Sequence, residues 1–115
     1  MLPAEHRLTR SAEFGEVVRR GRRAGRPLLT VHLLVADDGA AARAGLVVGK
    51  AVGGSVVRSR TSRQLRHLLR DRLDVLPAGA RLVVRAAPAA AAVSSARLGE
   101  DLDVALARVL RTRSA

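Results

Sequence analysis

The residues best suited to chemistry lie in GKAVGGSVVRSRTSRQLRHLLR, residues 49–70. Arg58, Arg60, Arg63, Arg66 and Arg70 recur there every two to four residues, Lys50 stands in the lead-in, and no acid intervenes before Asp71. A guanidinium stays charged at physiological pH and presents five donors in a planar fork that matches phosphate. The chemistry on offer is therefore recognition of a polyanion, and Ser59 adds a hydroxyl within the run. Gly53-Gly54-Ser55 leads into the free amide groups of a helix start, which favour an anion such as phosphate. A plain turn with a serine cap is the other reading, and the two are compatible. GLVVGKA (45–51) is not a nucleotide-binding loop, because its spacing is wrong and no Ser or Thr follows the lysine.

No residue set supports catalysis by the chain itself. His6, His32 and His67 lie far apart without metal-ligand spacing. His32 reads as a strand residue and His67 as a surface one. Asp37-Asp38 precedes Gly39 and reads as a turn. No serine sits in a recognisable nucleophile context, and cysteine is absent, which removes disulfides, thiolate chemistry and Cys-based zinc sites. Neither catalytic nor metal-ligating residues are assigned.

The elements that must position the arginines follow from periodicity. Ser11 to about Arg20 reads as a short helix with Ser11 as its cap and Phe14, Val17 and Val18 as its apolar stripe. Gly21 to Pro27 is a basic connection with room for a small strand near 22–26. Leu28 to Ala36, Ala44 to Gly49 and Arg81 to Ala86 read as strands. A helix is expected from about Val56 to Val75, ended by Pro77 and Gly79. At 100° per residue its Val57, Thr61, Leu65, Leu68, Leu69 and Leu73 share one side, while Arg60, Arg63, Arg66 and Arg70 fall within roughly 120° on the other. Arg58 points toward the apolar sector at the helix start. Ala89 to Ala92 is a low-complexity connection. Ser94 or Ser95 caps a last helix with Leu98, Leu102, Leu106, Val109 and Leu110 on one face and Arg108, Arg111 and Arg113 in its last turns.

At 115 residues the chain is one domain, residues 1–115, with a modest core. The net charge is +11, carried almost entirely by arginine. Together with the Ala, Val and Gly bias, this matches a GC-rich genome, so the arginine count alone proves little. Its segregation proves more. Five arginines and no acid fall between Val17 and Ala36, and seven cations and no acid between Gly39 and Arg70. A basic face and a nearly neutral back are expected, with nucleic acid the leading partner and an anionic membrane surface the second. A solvated helix face usually mixes signs, because like charges at i, i+4 repel and cations near a helix start oppose the macrodipole. Those small costs argue for binding. No run approaches the roughly 20 apolar residues of a membrane span, and MLPAEHRLTR has no apolar leader.

The stretch VGKAVGGSVVRSRTSRQLRHLLR resembles the signature of the bacterial ribonuclease P protein subunit, approximately V-S-K-K-x-G-N-A-V-x-R-N-R-x-K-R-x-x-R. Lys50, Gly53, Val56, Arg58, Arg60, Arg63 and Arg66 match in register. RLTRSAEFGEVVRRGRR resembles the family opening R-L-x-x-S-x-x-F-x-x-V-x-x-x-G at Arg7, Leu8, Ser11, Phe14, Val17 and Gly21, and LVVRAAPAA its third long strand and following proline. Gly54, Ser59 and Ser62 replace the usual Asn, Asn and Lys, and Ala51 the second Lys. Val18, Leu28 and Val31 stand where the family often has aromatics, which leaves Phe14 as the lone aromatic, equally readable as core or as a base-stacking platform.

The resemblance implies an α/β (α+β) two-layer sandwich like the second domain of ribosomal protein S5, in the order α-β-β-β-α-β-α with a left-handed βαβ crossover. It implies the protein subunit of a ribonucleoprotein endoribonuclease that removes the 5′ leader of precursor tRNA. It implies that the chemistry belongs to the catalytic RNA subunit with Mg²⁺, held mainly by RNA. Lys50, Arg58, Ser59, Arg60, Arg63, Arg66 and Arg70 are expected to contact the catalytic RNA. Phe14, Val18, Arg22, Arg23 and Arg85 are expected in a cleft for the single-stranded leader. The expected partners are that RNA and precursor tRNA, in the cytoplasm, with no membrane and no DNA. The alternative is a basic RNA-binding module of ribosomal-protein type without a nuclease role. A DNA-binding helix-turn-helix is weaker, because apolar strands flank the basic helix.

Overall fold

The computed structural model describes residues 2 and 4–111. Helix α1 spans Ser11–Arg20, strands β1, β2 and β3 span Arg22–Gly25, Leu29–Val35 and Arg43–Val47, helix α2 spans Ser55–Arg70, strand β4 spans Ala80–Ala86 and helix α3 spans Ser95–Arg111. The order α-β-β-β-α-β-α is the expected one, and the small strand before Pro27 is β1. The sheet runs β1-β2-β4-β3, with β2 antiparallel to both neighbours and β3 parallel to β4. α2 makes the connection between that parallel pair.

Side-chain alternation divides the sheet into two faces. Leu29, Val31 and Leu33 of β2 pair with Ala86, Val84 and Leu82 of β4. Together with Ala24 and Ala44 they join the main core beneath α2 and α3. α2 contributes Leu65 and Leu69, and α3 contributes Leu98, Leu102, Ala105, Leu106 and Val109, all buried. Sheet and helix pair form the expected α+β body, but helices cover both sheet faces rather than one. α1 crosses the opposite face and closes a second, smaller cluster of Leu8, Val17 and Val83, with Phe14, Val18, Leu34 and Val47 packed around it.

Several local expectations change. Ser11 is the first residue of α1 rather than its cap, and Arg10 holds the cap position without a side-chain hydrogen bond. α2 stops at Arg70 instead of running to Val75, and Leu73–Val75 forms a separate 3₁₀ turn. The reason is Arg72. Its guanidinium donates to the carbonyl of Leu68 at 2.9 Å and to both carboxylate oxygens of Asp103 at 2.6 and 3.2 Å, tying the helix end to α3. Between Ser94 and Ser95, Ser94 is the cap of α3, its Oγ accepting from Arg97 N–H at 3.2 Å. Arg113 lies outside the described residues.

Asp101 is only 1% exposed. It accepts from Arg97 at 2.9 Å, from the backbone N–H of Leu28 at 3.2 Å and from Arg26 at 3.3 Å. Burial raises its pKa, but those donors outweigh it and hold the carboxyl below the ordinary aspartate value. It joins the β1–β2 connection to α3. Glu13 ties α1 to the sheet through Arg43 at 3.3 Å and Arg81 at 3.9 Å, and Arg81 also reaches Asp38 at 2.7 Å. The turn at Asp38 is as expected, with its Oδ1 accepting from Ala40 N–H at 3.0 Å.

Candidate nucleic-acid interface

Two cationic surfaces emerge, and different parts of the fold build them. The first is the outer face of α2. Its lead-in needs a glycine at Gly53, whose φ of 155° lies in a region other residues avoid and where a Cβ would press on Val57. Gly54 occupies the helix cap and has no side chain to accept from the first amides. Ser55 is the first helical residue, so the plain serine-cap reading does not hold. The start of α2 is therefore capped by no side chain, and unused amides at that end carry partial positive charge.

Beyond this lead-in the arginines stand without acids. Among the described residues no carboxylate pairs with Lys50, Arg58, Arg60, Arg63, Arg66 or Arg70. Arg60 makes only an exposed, long donation to the carbonyl of Ala91 at 3.4 Å, and Arg70 approaches His67 Nδ1 at 3.4 Å. Ser55 and Ser59 separate two shallow depressions. One adds Val56, Arg60 and Arg63, and the other adds Val48, Arg58, Ser62 and Arg66. Arg58 is half-buried, and its Nε is closed off from solvent without a partner. Serine hydroxyls between guanidinium groups suit phosphate oxygens. Val56 is 80% exposed beside them, an apolar surface within the basic one. Its exposure was not anticipated, although its outward position follows from the helical period.

The second surface is the groove between α1 and the sheet face it crosses. The Phe14 ring lies directly over Gly45 of β3, where any Cβ would collide with it. Phe14 is thus both packed and half-exposed, and Val18, also half-buried, belongs to the same cluster. Arg23 on β1 pairs directly with His32 on β2, while Arg85 on β4 pairs with Thr30, diagonal to His32. Both arginines are exposed and share this face. Arg22 does not. It alternates with Arg23 along β1, pairs with Leu33, and lines a different depression with Arg20, Gly21 and Asp37 at the sheet rim.

His32 is the groove residue that sequence reasoning passed over. It is 6% exposed, and its Nδ1 has no hydrogen-bond partner. Burial first, then Arg85 and Arg23, hold its pKa below 6.5. The available signal was its place in β2, out of phase with Val31 and Leu33. Among the described residues no cluster of three His, Cys, Asp or Glu could hold a metal ion. No described helix is long and apolar enough to cross a membrane.

The Ribonuclease P family matches residues 2–110 of the chain. The chain is similar to the ribonuclease P protein component of Streptomyces avermitilis, 52% identical over 118 residues that cover 96% of each protein. The Nocardioides protein of the same name is 53% identical, with 95% of each covered. Among solved structures, the fold resembles the RNase P protein of Staphylococcus aureus with a TM-score of 0.79 at 19% identity, covering 94% of each chain. It resembles that of Thermotoga maritima with a TM-score of 0.75 at 22% identity, covering 91% of this chain and 96% of the other.

Proposed function

Since the chain belongs to the ribonuclease P protein family, we propose that it binds the catalytic RNA through the outer face of α2 and the 5′ leader of precursor tRNA in the groove under α1. In this reading it assists leader removal in the cytoplasm. The observation that carries it is that, among the described residues, no carboxylate pairs with the six cations from Lys50 to Arg70. A folded domain gains little from such a face, since the like charges repel. A polyanion turns that cost into affinity through counterion release.

Two RNA molecules that must associate repel each other. A protein with unpaired cations on both the α2 side and the α1 side of its sheet can contact both at once and screen that repulsion. The protein side chains bind and orient. Mg²⁺, held mainly by the RNA, would supply the hydrolytic chemistry. With one aromatic in the groove, stacking at about 1–3 kcal/mol per base is available from Phe14 alone. Arg23 and Arg85 supply charge and guanidinium planes instead.

Reconstitution tests the reading. The purified chain added to its cognate catalytic RNA is expected to raise precursor-tRNA cleavage when Mg²⁺ is limiting, and to do nothing without the RNA. Cleavage by the protein alone, or no stimulation of the RNA, would overturn it. RNA binding without stimulation would favour the ribosomal-type module.

A further inference from the structure

Four polar side chains are buried among the described residues: His32, Thr61, Arg81 and Asp101. Thr61 donates to the carbonyl of Val57 at 3.0 Å, Arg81 is ion-paired with Asp38, and Asp101 with Arg97. Only His32 is left with a buried ring nitrogen that bonds to nothing. It also sits in the groove read above as the leader site.

The charges around it are of one sign. β1 places Arg23 directly opposite, and β4 places Val83 opposite with Arg85 on the diagonal. Arg81, the other charged residue of β4 on this face, is engaged by Asp38 and Glu13. α1 carries Glu13, Glu16, Arg19 and Arg20. Glu13 is turned to Arg43 and Arg81, and Glu16 to Arg20 at 3.0 Å. No carboxylate offsets Arg23 and Arg85 at the imidazole, which is therefore neutral in the free protein near neutral pH.

We infer that seating a phosphodiester of single-stranded RNA between Arg23 and Arg85 draws a solvent proton onto His32, so that the groove binds RNA with net proton uptake. The anion cancels part of the arginine field. It also places an acceptor beside a ring whose Nδ1 bonds to nothing in the free protein, which favours the imidazolium. No covalent bond changes, and the proton comes from the buffer. The inference rests on the leader reading of the groove and adds to it a dependence on pH that the arginines alone would not give.

Linkage fixes the sign. Between the free and bound pKa values, binding tightens as pH falls, by at most about tenfold per pH unit for one proton. The test uses holoenzyme reconstituted from the full chain and its catalytic RNA, under conditions where cleavage is slow. Its readout is the preference for precursor tRNA over mature tRNA between about pH 8 and pH 6. A preference that rises several-fold on acidification, and is flat in His32→Asn, is expected. A preference that is present but independent of pH, or that keeps its slope in His32→Asn, overturns proton coupling and leaves the leader reading standing. No preference at any pH removes both. If His32→Asn does not fold, histidine NMR of the wild-type chain decides. The His32 ring should titrate at higher pH with a single-stranded leader oligonucleotide than without it, and an unchanged titration overturns the inference.

Discussion

Replacing Arg60, Arg63 and Arg66 together with alanine separates binding from folding on α2. None of the three is paired with a carboxylate, and the only hydrogen bond at stake is the exposed 3.4 Å donation from Arg60 to Ala91. The replacement removes the like-charge neighbours 60–63, 63–66 and 66–70, each worth about 0.2–0.5 kcal/mol of repulsion. Alanine is also the best helix former. Stability should therefore match wild type or exceed it by up to about 1.5 kcal/mol. RNA binding should change in a specific way. Each lost phosphate contact lowers the slope of log K against log salt by about 0.7–0.9, so three lower it by roughly 2 to 2.7. Between about 50 and 200 mM salt, wild type should then lose roughly 20- to 40-fold more affinity than the variant. Binding isotherms for the catalytic RNA across that range, with a urea denaturation curve for each protein, measure both quantities. A variant that unfolds, or binds more weakly with an unchanged slope, would show that these arginines do not meet phosphates.

Two further substitutions probe the supports. Asp101→Asn leaves Arg26 and Arg97 without their carboxylate and should cost about 3 kcal/mol, the low end for a buried pair, because both arginines keep solvent access. Its carboxyl pKa is lowered by folding, so its contribution is complete above the ordinary value of 3.8 and is lost as pH falls through the folded value. The gap between wild type and variant in urea midpoint should narrow only in that acid range, and a gap constant into strong acid would refute the assignment. Gly45→Ala forces the Phe14 ring off β3 and should cost about 1–3 kcal/mol by overpacking. It should also weaken the preference for leader-bearing tRNA while α2-dependent binding of the catalytic RNA persists, and an unchanged melting temperature would contradict the packing.

The arginines of α2 were legible because both signals are local: a helical period over sixteen residues and a run without acids. The strands were legible for the same reason. What escaped was set by partners far away in sequence. Nothing near Asp101 marks it as buried, because Arg26 and the Leu28 amide lie more than seventy residues upstream. The end of α2 at Arg70 depends on Asp103, thirty-one residues beyond Arg72. Alternation already separates Arg22 from Arg23, but only the β1–β2 register and the position of α1 say which of them faces the groove. The same holds for His32. Phe14, readable from sequence as core or platform, packs over Gly45 and is half-buried, and it is the glycine on β3, thirty-one residues on, that makes room for the ring.

The arginines fall into two sets, and the acids divide them. Arg26, Arg43, Arg72, Arg81 and Arg97 each meet a carboxylate, and all but Arg97 bridge elements distant in sequence. None of them belongs to the outer face of α2, and Arg81, which shares the sheet face of the groove, is already held by Asp38 and Glu13. A paired arginine would have to break its ion pair before taking a phosphate, so an acid placed near Arg63 or Arg85 would lower affinity without adding to the fold. Conversely, unpaired arginines between α3 and the sheet would bury charge at a cost of several kcal/mol. Screening acts unequally on the two sets. Added salt shields exposed charges over a Debye length of about 8–10 Å near physiological strength, and shields a buried carboxylate such as Asp101 much less. In the proposed complex, rising salt is therefore expected to strip RNA from α2 before it loosens the contacts that hold α1 and α3 in place. The groove occupies an intermediate position. Its two free arginines are exposed, but the imidazole between them is not, so its response to charge is carried by a proton as well as by counterions.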